Sequence, residues 1–128
     1  MIVKYVIYPA RLRKIPKSFT WIDHRLISDG HIERLSHSSA ALYLFLLCAS
    51  DDKGLSYYGD KTLMKKLSMN EEVLEASRSE LIHIGLVAWQ KPIYQVLSLK
   101  PLIKNNPERK ESGMSLKNIF KHAMEGSR

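Results

Sequence analysis

The stretch from Ser36 to Leu99 decides the fold: SHSSAALYLFLLCAS (36–50), GLSYY (54–58), DKTLMKKL (60–67), NEEVLEASRSELIHI (70–84) and LVAWQKPIYQVLSL (86–99). The first piece is predicted to be a helix. Ser36 or Ser38 can cap it, because a side-chain oxygen there satisfies free backbone N–H groups. Leu42, Phe45, Leu46 and Ala49 recur at helical spacing. Tyr43, Leu44 and Leu47 make the surface apolar nearly all round, the pattern of a helix buried on several sides. The longest apolar run, Ala40 to Ala49, falls well short of the roughly 20 residues that span a bilayer, so it reads as a core helix. Asp51-Asp52-Lys53-Gly54 ends it, and GLSYY is predicted to be a short strand.

Asp60 is the expected N-cap of a second helix whose buried stripe is Leu63, Met64 and Leu67. Ser68-Met69-Asn70 makes a turn, with Asn70 capping a third helix. Glu71 and Glu72 fall in its first turn, where the helix dipole favours acids. Leu74, Leu81 and Ile84, with Val73, form its core side, and Gly85 is placed to end it in a left-handed conformation. Trp89 and Tyr94 flank Lys91-Pro92, the predicted tip of a hairpin.

This order of elements resembles a winged helix-turn-helix domain over residues 36–99, as does the exit Glu80-Leu81-Ile82-His83-Ile84-Gly85-Leu86-Val87. The resemblance implies an α+β, mainly α fold: a three-helix core plus a β-hairpin wing. It also implies DNA binding through the third helix and the hairpin, in a transcription regulator or an accessory factor of replication or of a mobile element. Winged-helix domains also serve as protein-interaction modules, so fold alone leaves function open.

Two flanks surround this domain. Residues 1–35 are expected to supply an N-terminal strand and a basic arm packed on the core. Residues 2–8 (IVKYVIY) carry the β-branched and aromatic types of a strand. Pro9 and Pro16 discourage regular structure between them, so the following bases read either as an extended arm or as a solvated connection. Over 19–35, Asp29-Gly30 signals a turn; a strand pair or a strand and a helical turn both fit. Trp21, Ile22, Leu26, Ile27, Ile32 and Leu35 are expected to cover the core. Residues 100–128 are expected to form a linker and a short amphipathic helix with Leu116, Ile119, Phe120 and Ala123 on one face. Such a helix is marginal alone and needs a partner surface.

The net charge of +7 favours an anionic partner. Its distribution is uneven. Residues 1–17 hold five bases and no acid, and residues 100–128 hold seven bases and three acids. Residues 18–99 hold eight bases against ten acids, so the basic surplus lies entirely in the ends. Across residues 70–84 there are four acids and one base, Arg78. Glutamates are repelled by phosphates, and phosphate neutralisation carries much of DNA affinity. The third helix is therefore poorly suited to deep base reading; its acids read equally as a solvated face.

The candidate DNA contacts are Arg11, Arg13, Lys14 and Lys17 in the arm, Lys61, Thr62 and Lys65 on the second helix, and Lys91 at the wing tip. Asn70 and Ser79 are the candidates for base contacts. Each lysine taken singly is also what an ordinary surface carries. The rival expectation is a protein-interaction module that docks through the acidic third helix or the C-terminal apolar face. A homodimer joined by the N-terminal strand or the C-terminal helix is a further expectation.

Catalysis finds little support. Asp29, His31, Glu33 and His37 are metal-capable but lack any justifiable ligand spacing. No Gly-rich phosphate loop exists. No enzyme activity, cofactor, metal or membrane partner is expected. The lone cysteine, Cys48, is expected to be a buried small hydrophobe. With no signal-peptide pattern, the expected location is cytoplasmic.

Overall fold

A computed structural model of the protein describes residues 2–99. It is α+β, with four α-helices and one small antiparallel sheet: α1 (Arg25–Ser28), α2 (His37–Ala49), β1 (Leu55–Tyr57), α3 (Asp60–Leu67), α4 (Glu71–Ile84), β2 (Val87–Gln90) and β3 (Ile93–Val96). From α2 onward this is the element order the sequence predicts. The strand order is β1-β3-β2, so the hairpin β2–β3 is extended by β1 from before α3.

The helix packing follows from the apolar stripes. Leu42 and Leu46 of α2, Leu63 of α3 and Leu74 and Leu81 of α4 are fully buried. Tyr94 of β3 is fully buried beside them and closes the core from the sheet side. Helix α2 presents Leu44 and Cys48 to solvent, one turn apart. Cys48 is thus exposed rather than buried: even a helix apolar nearly all round has one outward row, and Leu44 and Cys48 share it.

The start of α2 is held from another helix. The Ser36 hydroxyl accepts from the Ser39 N–H at 3.2 Å. A capping box would place Glu or Gln at the third helical position, where this chain has Ser39. Glu80 of α4 supplies the missing carboxylate and accepts the Ser36 N–H at 2.8 Å. The Ser39 hydroxyl and the Ser36 amide hold the Glu80 carboxyl below its ordinary range. A local motif has become a clamp between α2 and α4.

Three junctions show why the chain turns where it does. Asp51 Oδ1 accepts the N–H groups of Lys53 and Leu55, each at 2.9 Å. Gly54 then takes φ +82°, and a Cβ there would lie 2.8 Å from the Val96 carbonyl oxygen. Only glycine allows that approach, which lets the Val96 N–H bond the Gly54 carbonyl at 2.9 Å. Between α3 and α4, Ser68 adopts a left-handed conformation with φ 54°. Gly85 ends α4 at φ 90°, as predicted, with its N–H reaching the Leu81 and Ile82 carbonyls.

The N-terminal flank departs from expectation. Residues 2–8 form no strand, and every described residue up to Phe19 is exposed. A strand needs a neighbour to satisfy its backbone groups, and none of the described residues pairs with this segment. Over 19–35 there is a single helical turn, α1, and a 3-10 turn at Ile32–Arg34, joined through Gly30 at φ 74°. Leu26 is buried and Leu35 half-buried, but Trp21, Ile22, Ile27 and Ile32 are exposed. One helical turn offers only one inward position, so this flank covers the core at a point and not along its length. The expected C-terminal helix lies outside the described residues.

Acidification tests the Glu80 clamp. A depressed carboxyl stabilises the fold fully above its ordinary value of 4.5, and that contribution is lost as pH falls through the depressed value. Urea unfolding should show Glu80→Gln less stable than the parent at neutral pH, with the gap narrowing as the pH falls below 4.5. A gap that stays constant across that range would remove the ionised clamp.

Candidate nucleic-acid interface

Helix α3 is amphipathic by spacing alone. Leu63 points into the core, while Lys61, Thr62, Lys65 and Lys66 are exposed. Those four line one open concavity of about 520 Å³. Three ammonium groups on one helical surface make a continuous cationic patch. Lys61 and Lys65, at i and i+4, share a helix side, and Lys66 lines the concavity from the flank of that side.

The remaining expected contacts stand apart. Lys91 is exposed at the hairpin tip, joined to Pro92 by a cis peptide. Arg11 closes a short 3-10 turn, Pro9–Arg11; Arg13 and Lys14 follow in irregular exposed chain and Lys17 in an exposed bend. Ser79 is exposed on α4. Asn70 caps α4: its Oδ1 accepts the Val73 N–H at 2.8 Å, which leaves only its amide NH₂ to meet another group.

The outward surface of α4 is acidic. Glu71, Glu72 and Glu75 are exposed there with Ala76, Ser79 and His83. The one base of the helix, Arg78, is buried, so it is not available on the surface of α4. Leu74, Arg78 and Leu81 recur at i, i+4 and i+7, so helical periodicity puts Arg78 on the core face. Glu80, expected to point outward with the other acids, turns instead to the start of α2.

Arg78 ties three elements together. Its Nη1 donates to Asp60 Oδ1 at 2.9 Å and to the Tyr94 hydroxyl at 2.9 Å. Its Nη2 donates to Asp60 Oδ2 at 3.4 Å. The guanidinium lies 3.8 Å from the centroid of the Trp89 ring, a cation–π contact. Trp89 itself stacks on Tyr94. Burial works against the arginine's charge, but the bonds to Asp60 and Tyr94 outweigh it, and its pKa rises. Asp60 is therefore not the N-cap of α3. Gly59 occupies that position, and the Asp60 carboxylate is committed to Arg78.

Elsewhere, Asp23 makes a forked pair with Arg25, which holds its carboxyl at about 2. His31 is buried, and neither ring nitrogen has a hydrogen-bond partner among the described residues. Among the described residues no three His, Cys, Asp or Glu side chains are grouped to hold a metal ion. Among the same residues no helix is long and apolar enough to cross a membrane.

No protein-family model matches the chain, and no curated protein matches it. Among solved structures, one chain from "Structure of Rep-DNA complex" is similar, with 19% identity, a TM-score of 0.45, and coverage of 79% of this chain and 89% of that one. At that level of likeness, the reading of this surface rests on its own geometry.

Arg78→Ala should destabilise the domain by roughly 2–3 kcal/mol, the range for losing hydrogen bonds to a charged group, and Arg78→Lys should recover little, because an ammonium cannot fork to Asp60 while lying flat on Trp89. Urea unfolding of both variants checks this. A lysine variant as stable as the parent would show that charge alone matters there.

Proposed function

We propose that residues 36–99 form a winged-helix domain that binds duplex DNA mainly through its phosphates. The observation that carries this reading is the lysine surface of α3, where Lys61, Thr62, Lys65 and Lys66 line one open concavity. Phosphate contacts need only positive charge at the right spacing, and they fix the position of a protein without reading sequence. The wing lysine, Lys91, and the arm bases Arg11, Arg13, Lys14 and Lys17 add to the same electrostatic term. Asn70 and Ser79 are the remaining candidates for base contacts, weakened by the glutamates around Ser79 and by the capping role of Asn70. The role is one of binding, not catalysis, in a regulator or an accessory factor of replication or of a mobile element.

One observation favours a second reading. With Arg78 buried and Glu80 turned aside, the exposed surface of α4 carries Glu71, Glu72 and Glu75 and no arginine or lysine. A helix of that charge suits a basic protein partner better than a major groove. On this reading α4 docks a protein while α3 and the arm still meet DNA, or the domain binds protein alone.

Fluorescence anisotropy with mixed-sequence duplex DNA over a salt series separates the two. DNA binding should weaken by about 0.9 log unit per decade of salt for each phosphate neutralised. Charge reversal at Lys61 and Lys65 should flatten the slope by roughly that amount for each lysine in contact, and alanine at Arg11, Arg13 and Lys14 should flatten it further. Absence of binding at low salt would leave the protein-interaction reading standing alone. Binding that ignores Lys61, Lys65 and Lys91 would move the contact surface off the winged helix.

A further inference from the structure

Residues 2–8 are chemically a strand without a sheet. Six of these seven residues are large and apolar or aromatic, and all six are exposed, with Ile2 at 92%, Tyr5 at 80% and Ile7 at 88%. Leaving so much contiguous apolar surface in water is costly, at about 25 cal/mol per Å². Among the described residues, none covers it.

A complementary surface lies beside β1. A groove of about 630 Å³ runs there, walled by Leu55, Tyr57, Tyr58 and Ile93 and bounded by Asp51. Tyr57 and Ile93 face each other across the β1–β3 ladder and are 75% and 49% exposed, an apolar pair open to solvent. The backbone alternates in register. Gly54 bonds Val96 within the sheet, so Leu55 and Tyr57 turn their N–H and C=O groups away from β3. Asp51 occupies both groups of Leu55. Those of Tyr57 have no partner among the described residues, which leaves one open rung next to the exposed rings.

We propose that this groove receives residues 2–8 of a second copy of the chain, giving a dimer in which each copy lends its arm to the other. The segment is free of helix and β-prone in composition, as a strand to be added must be. It contains Lys4 and no acid, while the loop at the groove's rim, Asp51-Asp52-Lys53, is net negative. The amides of Leu55 and Lys53 keep the Asp51 carboxyl below its ordinary value, so the rim stays charged at neutral pH. The area is sufficient. Two exchanged arms carry four tyrosines, which at roughly 150–250 Å² each bury about 600–1,000 Å² before any aliphatic side chain is counted, against about 1,600 Å² for a standard interface. Two-fold symmetry makes both contacts from one complementary pair. Arg11, Arg13, Lys14 and Lys17 lie beyond the exchanged segment and remain free to meet an anion.

Sedimentation velocity on the full chain at micromolar concentration tests this. The parent should run as a dimer. Deletion of residues 2–8 should give a monomer, and so should Tyr57→Lys combined with Ile93→Lys, each with the circular dichroism of the parent. The decisive measurement is a mixture. The deleted chain keeps its groove and the doubly substituted chain keeps its arm, so the two monomers should form a one-to-one complex. A monomeric parent, a dimer that survives the deletion, or a mixture that stays monomeric would each overturn the proposal. DNA binding is read separately, through Lys61 and Lys65, so failure of one reading is distinguishable from failure of the other.

Discussion

The Arg78 guanidinium is the contact on which the arrangement of the domain depends. It sits on α4, bonds the first residue of α3, bonds the tyrosine that closes the core from β3, and lies flat on the tryptophan of β2. Hydrophobic burial brings these elements together but does not set their rotation about one another. A forked cation with fixed donor directions does, because its carboxylate and phenol partners must lie in one plane. The same contact has a functional consequence. By turning inward, Arg78 removes the only base from α4 and leaves its outer surface to glutamates.

Charge is thus sorted by element. The outside of α4 carries Glu71, Glu72 and Glu75, while α3 carries Lys61, Lys65 and Lys66, the hairpin tip Lys91, and the arm Arg11, Arg13, Lys14 and Lys17. This separation explains how a slightly acidic domain presents a cationic surface. It also puts the exposed lysines of the helices on the second helix of the domain and none on the third. The Glu80 clamp fits the same pattern. An acid that would otherwise add to the repulsive surface is spent on the N-terminus of α2, where the free amides stabilise its charge.

Much of the fold was legible because it is local. The helix limits of α3 and α4, the hairpin and its Lys91-Pro92 tip, and the left-handed Gly85 all follow from spacing, caps and turn chemistry. The flank was less legible. Residues 2–8 have strand composition, but composition does not supply a partner, and the described chain offers them none. Trp21, Ile22, Ile27 and Ile32 are apolar enough for a core, yet a single helical turn can send only Leu26 inward. Asp60 read as a cap because aspartate at a helix start usually is one; a guanidinium from eighteen residues on claimed it first.

The amino-acid sequence by itself determined which segments are helix, which are strand and where the chain turns, since those depend on neighbours within about one helical turn. It also determined that the basic surplus lies in the ends. Only the tertiary structure decided which charged side chains remain on the surface. Arg78, Asp60 and Glu80 each look available in sequence, and each is consumed by a partner distant in the chain. An ion pair or a cap is a relation between two positions in space, and residue spacing encodes only one of them.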